Sequence, residues 1–300
     1  MAFPHEGDQG LAPLRPLAQR LHDVLAPRPR RAAVRVATSG VGRRGPWRLL
    51  VPASLDQAAS YAGAALRTGP RLRRANRPEA IAAPGPRSFD AWYDGLRDTE
   101  VLPAGLVPLN ERDGLRHDPE GPVVWAPSHD ALRGKSGRAL AARIAAAASK
   151  PSPVHPGLPI LVVPPPGRQG AVLRRLHRLP GVTVAPGADA AAPLTALEGA
   201  RALLADSSWP AAEALACGLP VAFTAPPSSL DPLGAELAGL VPVLPGGLGL
   251  SDWAAAPEAP VAAARWADEV LYPPRPARND ELAARIRHEA VARAAGRPPP

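Results

Sequence analysis

The sequence predicts an α/β protein built on parallel sheets in two units, the first of them abbreviated. Three observations carry that reading. Short apolar runs such as Val123-Val124-Trp125-Ala126, Ile160-Leu161-Val162-Val163 and Ala202-Leu203-Leu204 alternate with Ala-rich helical segments, the pattern of strands joined by crossover helices. The runs end in polar or Pro-rich loops at 127–130, 164–168 and 206–209, and ligands of such sheets bind outside the carboxyl ends of strands. The third observation is the stretch 202–224, which reads as strand, polar turn, helix and strand. Ser207 or Ser208 can cap its helix, Pro210 fits the first turn, and Gly218 suits a left-handed C-terminal cap. Its turn offers backbone N–H groups and two hydroxyls at a helix N-terminus, which is an anion site, with phosphate the expected anion.

The elements follow in order. Leu11, Leu14, Leu17, Leu21 and Leu25 predict an amphipathic helix over 11–26. The Gly-bearing loop before it holds His5 and Asp8, either of which can serve as a catalytic base or hold an acceptor. Residues 33–37 and 49–51 read as strands, and the Gly- and Arg-rich 39–45 as a surface turn without phosphate-loop spacing. A helix is expected over 55–67, a strand at 80–83, and a helix starting at Phe89. Val101 to Leu109 closes the first half, and the polar 111–122 reads as a linker. Beyond it come a strand at 123–126, a helix at 136–149, a strand at 160–163, a helix at 170–178, a strand at 182–184, a short helix at 194–197 and the 202–224 unit. After Thr224 the chain is Pro/Gly-rich to about 260, with Leu240–Leu244 as a last strand and helices at 261–271 and 279–295. The domains are therefore drawn as 1–112, 120–275, and a C-terminal helix with a disordered tail at 276–300.

Composition narrows the function classes. The net charge is +8, but Lys135 and Lys150 are the only lysines, and the arginines read as scattered among acids with short clusters at 28–31, 71–74 and 174–175. That pattern argues against nucleic acid and for an acidic lipid or phosphorylated substrate. A single cysteine, Cys217, excludes an internal disulfide and a multi-cysteine metal site; it is expected to pack, buried, beside Gly218. No apolar run approaches the ~18 residues a membrane span needs. The polar N-terminus lacks a signal-peptide core. The expectation is a cytoplasmic protein in peripheral contact with the inner membrane face.

Three pieces of sequence carry a resemblance to a known group. Val123-Val-Trp-Ala-Pro127-Ser128 resembles the strand and loop of CDP-glycerol glycerophosphotransferases. Ala83-Pro84-Gly85, with Gly105-Leu-Val-Pro108-Leu-Asn110, resembles the stretch closing the first domain in those enzymes and in UDP-N-acetylglucosamine 2-epimerases. Asp206 through Val221 resembles the donor turn of both groups, including the Gly218-x-Pro220-Val221 end. The resemblance implies a GT-B-type fold of two Rossmann-like domains. It also implies a transferase that takes a nucleotide-diphosphate donor, an NDP-sugar or CDP-glycerol, and modifies a cell-envelope glycan or lipid-linked acceptor.

Carried over by position, Ser128, Asp206, Ser207 and Ser208 belong to the donor site, with the two serines on the diphosphate and Asp206 shaping the turn. Glu213 falls where the relatives place an acid that reaches the ribose hydroxyls. His129 aligns with the epimerases' loop histidine and joins His5 as a catalytic candidate. Neither metal nor organic cofactor is expected, since helix N-termini and an arginine can neutralise a leaving diphosphate. The glycerophosphotransferases' basic-Pro-His loop is replaced here by Val163-Pro164-Pro165-Pro166, which leaves Arg168 as the substitute cation. Two alternatives to the transferase stand beside it: a binding protein of the same fold with impaired catalysis, and a sugar-nucleotide epimerase.

Overall fold

A computed structural model describes residues 14–21, 34–37, 47–52, 78–96, 99–113, 115–128, 131–132, 134–149, 158–164, 171–185 and 195–295. The expected helix at 55–67, the turn at 39–45, the tail from 296, and the candidates His5, Asp8, His129 and Arg168 lie outside the described residues. The chain divides into one unit of Met1–Asp113 with Asp268–Pro300 and a second of Gly114–Ala267.

Unit 1 contains four parallel strands in the order β1-β2-β3-β4: Val34–Ala37, Trp47–Leu50, Ala80–Ala82 and Glu100–Leu102. Helix α1 is Arg15–Arg20, α2 is Pro86–Gly95 and α3 is Val107–Asn110. The first is shorter than the 11–26 expected, and α2 begins before Phe89 because Pro86 provides a preset first turn. Gly85 precedes it for a steric reason: a Cβ there would lie 2.0 Å from the Val270 carbonyl oxygen.

The C-terminal helix, Pro276–Ala294, belongs to this unit rather than forming an appendage. Its Leu282, Ala283 and Ile286 share a core with Leu14, Leu17, Leu21, Val34 and Trp47. A buried amide pair registers the contact. Asn110 Nδ2 donates to Ala104 O at 2.8 Å and to Asn279 Oδ1 at 2.9 Å, while Asn279 Nδ2 donates to Val107 O at 3.0 Å and to Glu111. Arg20 adds ion pairs to Glu111 at 2.9 Å and Asp280 at 2.6 Å.

Unit 2 contains β5 to β9 at Val123–Ala126, Ile160–Val162, Val182–Val184, Ala202–Ala205 and Val221–Phe223. All pair in parallel, in the order β7-β6-β5-β8-β9. β5, β8 and β9 are buried along their whole length, which is why their sequences are continuous apolar runs rather than alternating ones. Helix α4 is Gly134–Ser149, α5 is Ala171–Leu176 and α6 is Ser208–Ala216. Leu140, Ile144, Leu173 and Leu176 from the first two pack with Val123, Trp125 and Leu204 of the sheet. Gly218 sits at φ +77°, the left-handed conformation its place after the helix predicts. Cys217 is half-buried at that helix end, not enclosed.

The segment after Thr224 departs from expectation. Leu240–Leu244 is no full strand: Val243 makes a single parallel bridge to Phe223, and Pro242 supplies a carbonyl but has no N–H to give. Two helices stand in the Pro/Gly-rich region, α7 at Pro232–Leu237 and α8 at Leu250–Ala255. The first is set by Asp231-Pro232, an Asp cap followed by Pro at the first helical position. Helix α9 follows at Val261–Val270.

Candidate functional site

In the order β7-β6-β5-β8-β9 the chain leaves β5 toward one edge of the sheet and leaves β8 toward the other. The crevice for a ligand therefore opens between the carboxyl ends of β5 and β8. Asp206 follows β8 directly, and Ser128 stands two residues past β5. The two are tied: Asp206 Oδ1 accepts the Ser128 N–H and Oδ2 accepts the Ser128 hydroxyl, both at 2.7 Å. Ser128 Oγ in turn accepts the Ala131 N–H at 3.2 Å. One carboxylate thus fixes both loops that border the switch point.

The helix that follows starts as the sequence requires but is capped differently. Ser207 occupies the cap position in extended conformation, φ −145° and ψ 153°, yet its side chain makes no capping bond. The Ser208 N–H donates instead to Asp231 Oδ2 at 3.3 Å, and Asp231 Oδ1 accepts the Gly234 N–H at 3.0 Å. Asp231 therefore closes the first turns of both α6 and α7 with one exposed carboxylate. Ser208 itself is buried and its N–H is committed.

One turn into α6, Glu213 is 1% exposed. Its Oε1 accepts the Trp209 indole N–H at 3.2 Å. Its Oε2 has no hydrogen-bond partner among the described residues. Burial pushes the carboxyl well above the ordinary carboxylate range, which favours its protonated form.

Of the residues singled out in sequence, Ser128, Asp206, Ser207, Ser208 and Glu213 gather at two adjacent strand ends and the helix between β8 and β9. Sequence reasoning missed Asp231 and Trp209. Asp231 was detectable as the Asp-Pro pair of a helix start, though not its reach to Ser208, 23 residues earlier. Among the described residues no group of three or more His, Cys, Asp or Glu can hold a metal ion, and no helix is long and apolar enough to cross a membrane.

No family model matches the sequence, and no curated protein matches it significantly. Solved structures do match the fold. The wall teichoic acid polymerase TagF aligns with a TM-score of 0.53 at 11% identity, covering 87% of this chain and 74% of that one. A variant of TagF soaked with CDPG aligns with a TM-score of 0.54 at 10% identity, covering 87% and 73%. A UDP-N-acetylglucosamine 2-epimerase from Listeria monocytogenes, described as putative, aligns with a TM-score of 0.50 at 14% identity, covering 96% and 82%. The chain has a GT-B-type fold. The strand order and the β5–β8 crevice are those of a doubly wound sheet and agree with that fold; at these identities the likeness concerns fold alone.

Proposed function

We propose that the protein is a transferase that uses a nucleotide-diphosphate donor, an NDP-sugar or CDP-glycerol, to modify a cell-envelope glycan or lipid-linked acceptor. The observation that carries this reading is the Ser128–Asp206 tie at the switch point, which leaves the turn at Ser207 beside a preorganised crevice. In this reading the Ser207 hydroxyl and the start of α6 face the diphosphate; Glu213, enclosed at 1% exposure, does not reach the ribose as its position in sequence suggests and supports the helix from within. His129 or His5 takes the proton of the acceptor hydroxyl, and Arg168 neutralises the leaving diphosphate. The donor-site roles of Asp206 and Ser128 are to hold the turn. The protein acts at the cytoplasmic side of the envelope.

One observation favours the second reading, a nucleotide-sugar-binding protein without transfer. The Asp231 carboxylate already occupies the first N–H of α6 and sets a negative charge against an incoming diphosphate. Calorimetric titration with UDP, CDP and GDP, followed by nucleotide-release assays on UDP-sugars, GDP-sugars and CDP-glycerol, separates the readings. Binding with release supports the transferase. Binding without release under any acceptor supports the second reading, and no binding at millimolar nucleotide sinks both. Joint replacement of Ser207 and Ser208 by Ala abolishes the binding in either case.

A further inference from the structure

The positive charge of the chain is unevenly spread: residues 24–78 hold twelve Arg and one Asp, and residues 131–188 are basic with no acid at all. Residues 131–188 hold nine of the 35 Lys and Arg and not one Asp or Glu, leaving 26 basic and 27 acidic residues elsewhere. The arginines are therefore not scattered evenly among acids. Helices α4 and α5 lie within residues 131–188, and Arg138, Arg143, Arg174, Arg175 and Arg178 are exposed on them and on the turn that follows α5.

Between the two helices is an apolar slot of about 160 Å³, lined by Ala142, Val172 and Leu179 with Arg138 and Arg175 beside them. Its existence follows from side-chain size. Leu140, Ile144, Leu173 and Leu176 are buried in the sheet core, and alanines on the outer side of α4 leave the space between helices unfilled. The volume suits a small hydrocarbon group, about that of a cavity which accepts benzene.

We propose that this face binds anionic phospholipid, with the slot taking the first methylenes of an acyl chain and Arg138 and Arg175 flanking the lipid phosphate. Guanidinium groups match phosphate oxygens in geometry and charge, and exposed guanidiniums such as Arg138 and Arg175 are drawn to an anionic leaflet. Apolar insertion then adds to the electrostatic attraction. The same charge would also attract nucleic acid, but residues 131–188 contain no Phe, Trp or Tyr on which bases could stack. An aliphatic slot between guanidiniums fits a lipid better than a base. The proposal uses no residue of the Asp206 turn, so it stands or falls apart from the transferase reading.

The test is vesicle flotation of the full-length protein. Wild type floats with vesicles of equal parts phosphatidylglycerol and phosphatidylcholine, stays behind with phosphatidylcholine alone, and is released by added salt. The double reversal Arg138→Glu and Arg175→Glu lowers the partition coefficient about tenfold or more, since four unit charges change at the surface. Ala142→Leu, which fills the slot and leaves the charge alone, lowers it roughly threefold. All three substituted positions are solvent-exposed, and thermal melting verifies that the variants fold. The proposal is overturned by absence of phosphatidylglycerol-dependent flotation at low salt, or by either variant floating as wild type does. Displacement by millimolar glycerophosphoglycerol, which lacks acyl chains, overturns it in favour of a soluble phosphate. Tighter retention on single-stranded RNA than on the anionic vesicles overturns it in favour of nucleic acid.

Discussion

At the carboxyl end of β8 the side chains that organise unit 2 are acids, whereas on the outer side of α4 and α5 they are guanidiniums. The acids differ from one another in state. Asp206 accepts two bonds from Ser128, Asp231 is exposed and joins two helix starts, and Glu213 is buried, with its carboxyl pushed upward by that burial. The guanidiniums of the other face are exposed and lie in a stretch without an acid in sequence, and Arg143 also donates to the Gly246 carbonyl oxygen at 3.2 Å. The contrast shows that a net charge of +8 describes neither surface. A turn that sequence presents as an anion site carries negative groups of its own, while exposed guanidiniums stand on a different pair of helices.

The largest effect that bears on this contrast is expected at Asp206. Asp206→Ala removes both bonds to Ser128 and unties the two loops, at a cost of about 3 kcal/mol to the folding stability measured by urea denaturation. Asp206→Asn keeps one acceptor and loses roughly half as much. A loss below about 1 kcal/mol in Asp206→Ala would show that the tie does not hold the crevice.

Glu213 gives an effect that depends on pH. Its carboxyl titrates higher in the folded chain than in the unfolded one, so between those two values the native state binds the extra proton. Stability then falls as pH rises from the ordinary carboxylate range toward the raised folded value. Glu213→Gln keeps the shape of the neutral acid and removes that dependence. Melting curves should coincide near pH 4 and separate by about pH 8, with the variant melting higher. A variant that melts lower at both would mean that Glu213 is held as a charged group.

Asp231 supplies the smallest effect and the sharpest test of whether the acidic turn opposes anions. Asn caps a helix about as well as Asp, so Asp231→Asn keeps the Gly234 cap, loses the 3.3 Å bond from the Ser208 N–H at a cost of about 1 kcal/mol, and removes one negative charge beside that N–H. Affinity for CDP or UDP, read by calorimetry, rises about threefold. An unchanged or weakened affinity would clear Asp231 of any opposition to the diphosphate.

Much of unit 2 was legible in sequence because β5, β8 and β9 are buried along their length and α6 stops at Gly218. β5 through β9 fall where the apolar runs do, and the Asp206–Gly218 unit has the predicted form. The candidate site was legible only in part. Ser128 and Asp206 were recognised as members of two loops, but their bond spans 78 residues, and no local pattern reports a contact that strand order creates. Asp231 escaped for the same reason. Its own helix start is written in Asp231-Pro232, while its bond to Ser208 depends on where α7 packs. In unit 1 the same limit applied to Asn110 and Asn279, two buried amides 169 residues apart that place the C-terminal helix with the N-terminal sheet.

By itself the sequence determined the parallel α/β class, the places of most strands in unit 2, the donor-like turn and the left-handed Gly218. These follow from hydrophobic period, capping residues and backbone freedom, all of which act within a few residues of chain. Tertiary structure alone decided the order β7-β6-β5-β8-β9, the union of the C-terminal helix with unit 1, the carboxylate tie across the crevice and the burial of Glu213. Each of those depends on groups far apart in sequence being desolvated together, and hydrogen-bond geometry and burial are properties of the packed chain rather than of any stretch of it.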